Sequence, residues 1–270
     1  MNSQRLEQMT QIEFRERLSE NPVILLPLGS QEGQGRRCPM GDFRLVERLA
    51  DRVSEQTGAL IAPVLPFGHA DFFRDYPGGI QLRPETFTAV LSDMLTSLRE
   101  HGLTRLLVLN GHTTNAPLIS QVCRALRRSS GLVVASVDLW PSVPSSLMQQ
   151  LFGEDTVRGH GGEPVTSVAM HLLPGEVRLQ QDVPEQARRT LHGLPVRGVS
   201  GADFMGLRVN LPVQAAEVSP DGQLSGSSEF ASAEKGAVIV ADLVKRLSAL
   251  VKHMQSQEPP LADCGRRDPA

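Results

Sequence analysis

The chain has 270 residues, of which 40% are apolar, 21% charged and only 4% aromatic, and 27 Lys and Arg against 30 Asp and Glu leave a formal net charge of −3. That balance excludes a generic binder of nucleic acid or of anionic membrane, which needs a basic surplus to neutralise phosphates. No apolar run approaches the roughly 18 residues of a membrane span. The cysteines Cys38, Cys123 and Cys264 are odd in number and far apart, so they suggest neither a disulfide framework nor a CxxC pair. The polar start, MNSQRLEQMTQIEFRERL, lacks the charged-then-apolar layout of a signal peptide, and a cytoplasmic protein is expected.

In chain order, residues 10–18 read as a short amphipathic helix, and residues 23–28 (VILLPL) as a continuous apolar run of the kind that suits a strand buried on both faces. Similar runs follow at 59–64, 106–109 and 132–138. Helical patterns lie between them. Over 42–55 Leu45, Val46, Leu49 and Val53 share one stripe; over 85–100 Phe87, Val90, Leu91, Met94, Leu95 and Leu98 do the same, with Gly102 placed for a left-handed C-terminal cap. A further helix is expected over 116–128 and another over 166–173. Residues 175–206, marked by Gly193, Gly198, Gly201, Pro184 and Pro195, read as a long, partly irregular excursion. A last helix over 231–253 offers Val238, Val240, Leu243, Leu247 and Leu250 as its buried face. Strands alternating with helices imply a mostly parallel sheet covered on both faces, forming one domain over residues 1–254 and a disordered, proline-bearing tail over 255–270.

Ligands of open parallel sheets bind beyond the carboxyl ends of the strands. That rule selects residues 29–42 (GSQEGQGRRCPMGD), 110–115 (NGHTTN) and 160–163 (HGGE), which together offer Glu32, Asp42, His112, His160 and Glu163. Carboxylates with imidazoles suit Zn²⁺ or Mn²⁺. Each residue also has a plainer reading. Asp42 stands where a helix N-cap would, His112 follows an Asn-Gly turn, Gly161 and Gly162 relieve backbone strain, and Glu163 in a first helical turn favours the macrodipole. Arg36 and Arg37 read either as a solvated pair or as an anion clamp. Cys38 reads as a packing residue, and His69, His101, His171, His192 and His253 receive no role.

Motifs in order along the chain give a sharper reading. Residues 26–32 (LPLGSQE), 39–42 (PMGD), 66–68 (PFG) with 76–82 (YPGGIQL), 110–115 (NGHTTN), 160–167 (HGGEPVTS), and 221–226 with 231–236 (DGQLSG, ASAEKG) resemble the creatininase family of amidohydrolases from about residue 13 to 250. The resemblance implies a three-layer α/β/α fold, a homo-oligomer, often a hexamer, and a divalent-metal site that opens a cyclic amide or releases a related C–N group. It implies Glu32 and His112 on one metal, an aspartate near Asp42 bridging to a second, and a further carboxylate from the position of Glu163. His160 is then the proton donor to the leaving nitrogen, with Glu163 beside it in the catalytic set.

The chain departs from the family pattern. Gln34 stands where Glu-x-His is expected, Arg36-Arg37 where Pro-His is, Thr114 where some members carry glutamate, and Val165 where a second glutamate falls. Phe43 takes the aspartate position, with Asp42 one step early, and a one-residue offset at a helix start swings a side chain by about 100°. These changes imply one Zn or Mn ion rather than two, held by Glu32, His112 and either Asp42 or Glu163, a small-molecule substrate other than creatinine and anionic in character, and Gln34, Arg36, Arg37 and Thr114 as substrate contacts. The competing reading is a metal-free family scaffold, serving as a binding or assembly subunit or in non-hydrolytic proton transfer. A binuclear site with Gln34 as a weak oxygen ligand is a third. Neither nucleic acid nor membrane is expected as a partner.

Overall fold

The computed structural model describes residues 4–154, 158–178, 190–197, 201–219, 221–224 and 228–258. Four parallel strands form its central sheet: β1 (Ile24–Leu28), β2 (Leu60–Ile61), β3 (Leu106–Asn110) and β4 (Val134–Asp138), in the order β2-β1-β3-β4. The helices between them are α1 (Gln11–Leu18), α2 (Phe43–Thr57), α3 (Pro84–Glu100) and α4 (Ala116–Ser130), followed by α5 (Ser145–Phe152) and α6 (Val165–Leu172). A small antiparallel sheet holds β5 (Thr190–Leu191), β6 (Leu194–Arg197), β7 (Gly201–Phe204) and β8 (Leu207–Val209), and α7 (Ala215–Val218) and α8 (Ala233–Ser256) complete the chain.

Alternation along the central strands sorts side chains between two layers. Leu25, Leu107 and Leu109 pack against the apolar faces of α2, α6 and α8, whereas Ile24, Leu26, Leu28, Leu106 and Val108 meet Phe87, Leu91 and Leu95 of α3 and Ile119, Val122 and Leu126 of α4. Strands β1, β2 and β3 are buried throughout, as continuous apolar runs require, whereas β4, at the sheet edge, is only partly buried with Ser136 exposed. The expected helix boundaries hold within a few residues. Thr10 caps α1 through a reciprocal box with Glu13, and Gly102 takes its left-handed φ of 83° just beyond α3.

Three expectations change. The last helix buries Ile239, Val240, Leu243, Val244, Leu247 and Val251, while Val238 is 45% exposed, because the i, i+4 stripe facing α2 and α6 begins one residue later. Gln255 and Ser256 continue that helix instead of opening a tail; the rest of the proposed tail, from residue 259 on, lies outside the described residues. The excursion at 175–206 contains three strands of the small sheet, whose short segments carry too little alternation to read.

Strand order fixes the site. From β1 the chain passes through α2 to β2 on one side, then returns through α3 to β3 on the other, so the ends of β1 and β3 flank a switch point. Leu28 pairs with Asn110 in register, and the loops beginning at Gly29 and Gly111 leave the sheet side by side.

Candidate metal centre and catalytic pocket

The two loops are held by the backbone-facing parts of their own motifs. Asn110 donates from Nδ2 to Asp138 Oδ1 at 2.7 Å and accepts at Oδ1 from the His112 amide at 3.1 Å. Asn115 donates to the Gly29 carbonyl at 3.1 Å and accepts from the His69 amide at 2.9 Å, tying the segment at 69 to both loops. Gly29 and Gly111 are required by close approach. A Cβ on Gly29 would lie 2.4 Å from Asp42 Oδ1 and from Phe43 Cα, and one on Gly111 would lie 2.2 Å from Val46 Cγ2. The start of α2 thus docks on the ends of β1 and β3.

That docking delivers Asp42. The residue sits at the N-cap position in helical conformation but does not cap its helix. Its Oδ1 accepts from the Ser30 amide at 2.6 Å, and its Oδ2 lies 3.1 Å from His112 Nδ1. The turn through Gly41, at φ 93°, leads directly into Asp42, whose carboxylate faces Glu32 and His112. Glu32 Oε1 lies 3.0 Å from the same His112 Nδ1 and accepts from Gln34 Nε2 at 3.1 Å. Ligand atoms of Glu32, Asp42 and His112, all three buried, lie within 4.8 Å of one another.

The chemistry of this triad calls for a cation. His112 Nε2 faces the His69 carbonyl at 3.1 Å and the Thr114 hydroxyl at 2.6 Å. The Thr114 hydroxyl in turn donates to the same carbonyl. A carbonyl oxygen has no proton to give, so Nε2 carries the hydrogen, and in the neutral ring the Nδ1 lone pair points at two carboxylates. Three lone-pair-bearing atoms converge there, and Glu32 Oε2 is buried without a hydrogen-bond partner. Either a proton on Nδ1 or a divalent ion must neutralise the cluster. Burial pushes Asp42 up to about 6, against the opposing pull of His112. Burial also lowers His112, but Glu32 and Asp42 outweigh it and hold the ring well above its usual value. With carboxylate and imidazole donors, and a carbonyl orienting the far ring nitrogen, the set fits Zn²⁺ or Mn²⁺.

The triad forms one wall of a cavity of about 540 Å³. His160 and Glu163 stand in the same cavity, on the segment leading into α6. His160 donates from Nε2 to the Gly33 carbonyl at 2.6 Å, stacks on Phe73 with centroids 3.9 Å apart, and turns Nδ1 toward Glu32 Oε1 at 3.9 Å. Burial lowers its pKa, with Glu32 opposing. Backbone pairing with Leu224 holds it from behind, which gives the DGQLSG motif a structural purpose. Glu163 accepts from the Ser167 amide at 3.4 Å on one oxygen and leaves the other buried and unpartnered, and burial pushes it up to about 7. Among the described residues it is not part of the ligand triad.

The four residues expected to touch substrate divide. Gln34 and Thr114 line the cavity, each committed to a triad residue. Arg36 and Arg37 do not line it. Arg36 pairs with Asp221 at 3.0 Å and Arg37 donates to the Ser228 carbonyl at 3.0 Å, so both staple the first loop to the late segment instead of forming an anion clamp. Their consecutive position follows the fold of that loop, which turns away from the cavity at Gly35, packed on Gly161. Sequence reasoning missed Phe73, Trp140 and Arg158 in the cavity wall. Trp140 was within reach of the strand-end rule, since it follows β4 and donates to the Gly111 carbonyl. Arg158 had one signal, its place two residues before His160.

Residues 7–251 match the profile of the creatininase family, described as creatinine amidohydrolase. The chain is 30% identical over 246 residues to the creatinine amidohydrolase of Pseudomonas putida, covering 85% of this chain and 88% of that one. It is 25% identical over 244 residues to the mycofactocin precursor peptide peptidase of Mycolicibacterium smegmatis, covering 87% and 86%. A solved structure described as creatininase with Mn superposes with a TM-score of 0.79 at 26% identity, covering 94% of this chain and all of that one.

Proposed function

The chain belongs to the creatininase family of amidohydrolases, and from that premise we propose a hydrolase of a small-molecule amide that works with one divalent ion, Zn or Mn, held by Glu32, Asp42 and His112. The observation that carries this reading is the convergence of His112 Nδ1, Glu32 Oε1 and Asp42 Oδ2, with distances of 3.0 and 3.1 Å from the imidazole nitrogen. One ion is favoured over two because Gln34 and Thr114 stand where the second would take imidazole and carboxylate, and each is engaged in hydrogen bonds to the triad.

When bound, the ion supplies Lewis acidity, providing an activated water nucleophile at neutral pH and polarising the amide carbonyl. The chain's own residues do the rest. The His69 carbonyl and Thr114 fix the His112 tautomer, and Gln34 orients Glu32. His160 is neutral near pH 7, anchored through Nε2, and its Nδ1 takes the proton that the attacking water loses and passes it to the departing nitrogen. Glu163, poised near neutrality, is the second proton-holding group of the cavity. Trp140 and Phe73 exclude bulk water from the walls. A cavity of about 540 Å³ exceeds what a single five-membered ring needs and suits a larger amide.

The test is hydrolysis of a panel of cyclic amides, acylamino acids and short peptides by the full chain, before and after chelation and after reloading with Zn or Mn. Activity lost on chelation and restored by one of the two metals is expected. Amide cleavage indifferent to chelation would contradict the reading, and a chain that binds ligands but takes up no metal would support the metal-free scaffold.

A further inference from the structure

The Arg158 guanidinium stands in the cavity wall two residues before His160. It donates to the Val143 carbonyl at 2.7 Å and to the Trp140 carbonyl at 3.4 Å. Both partners are neutral. Among the described residues no carboxylate pairs with it, and burial lowers its pKa. A guanidinium remains protonated at neutral pH even so, and two carbonyls leave much of its donor fork available.

The charges facing it make this cation unusual. A divalent ion would cancel the two carboxylates of Glu32 and Asp42, and among the described residues Arg158 is the one arginine or lysine that lines the cavity. Arg36 and Arg37 are spent on Asp221 and Ser228, away from the cavity.

We propose that Arg158 receives a carboxylate of the substrate, so that the amide cleaved at the triad is one carrying a negatively charged carboxylate within the same 540 Å³ cavity. The proposal rests on the amidohydrolase reading for the position of the scissile bond and on Arg158 alone for the carboxylate.

Two probe pairs test it: N-benzoylglycine against N-benzoylglycinamide, and N-acetylglycine against N-acetylglycinamide. Each is titrated calorimetrically into the full chain loaded with Zn or Mn. In at least one pair the acid should bind about 10-fold or more tightly than the neutral amide, the scale of one charge-assisted contact. Arg158→Gln, which keeps donors for the Trp140 and Val143 carbonyls, should abolish that preference while leaving amide affinity and melting temperature unchanged. Arg158→Lys, which keeps the charge but not the fork, should retain part of it and serves alone if the Gln variant does not fold. No preference in either pair, or a preference that survives Arg158→Gln undiminished, would overturn the proposal. Metal content measured on the same samples separates the two readings. An Arg158-dependent preference without metal contradicts only the hydrolase, and bound metal without a preference contradicts only the role of Arg158.

Discussion

The two walls of the cavity are built by opposite means. The triad wall grows from the ends of adjacent parallel strands, where glycine at 29 and 111 lets a helix start lie against both loops and where Asn110 and Asn115 bind the backbone on either side. The facing wall, Arg158 to Glu163, belongs to no strand. It is suspended between α5 and α6 and fastened by hydrogen bonds to Gly33, Leu224, Trp140 and Val143. The first wall gathers carboxylate and imidazole donors around one point, whereas the second carries His160, Glu163 and Arg158, for which proton transfer and charge recognition are proposed. On that reading, substitutions on each wall should give different signatures.

The largest effect is expected from the suspended wall. His160→Ala should lower kcat by about 10²- to 10⁴-fold while leaving metal content unchanged; equal loss of metal and turnover would place His160 on the other wall. Next is Glu163. Burial raises its folded-state pKa to about 7 from the usual 4.5, so the folded chain holds a proton that the unfolded chain releases between those values. Stability should fall as pH rises through that window, and Glu163→Gln should remove the fall. Chemical denaturation at pH 8 should find the variant more stable by on the order of 3 kcal/mol, with no difference near pH 4. A difference of the same size at both pH values would break this account of the residue.

Effects on the triad wall follow. Gln34→Leu removes the amide that orients Glu32 and should weaken metal affinity about 10- to 100-fold, as loss of a ligand's orienting partner does, which competition with a fluorescent chelator reads directly. The smallest change is expected at Arg36. The guanidinium is 36% exposed, and the 9% exposed Asp221 keeps hydrogen bonds from Ser219 and Gln223 without it, so Arg36→Ala should cost about 1 kcal/mol in melting experiments and leave any preference for carboxylate probes intact. A lost preference there would restore the anion clamp to the first loop.

The contrast between the walls also explains what the sequence discloses. Strands buried on both faces write continuous apolar runs, and glycine-rich loops directly after them mark the triad wall without any structure. The family motifs then align Glu32, His112 and His160. Asp42 was ambiguous because helical phase cannot be read across a turn whose φ is set by Gly41. Arg36 and Arg37 were conspicuous in sequence yet face away from the cavity, while Arg158 was not singled out, since a segment with no periodicity gives no indication of which side chains point inward. Gly236, part of a family-like motif, proves to be a packing residue: a Cβ there would lie 1.9 Å from the Ser167 carbonyl oxygen, where α6 crosses α8.

The proposed state of the buried triad is neutralisation by a divalent ion and not by a proton on His112. Elemental analysis of the full chain purified without chelator and loaded with Zn or Mn, beside His112→Ala, tests it most directly. The account predicts about one ion per chain in the wild type and almost none in the variant. A wild-type chain that stays metal-free under both loadings, or a variant that keeps its ion, would contradict it.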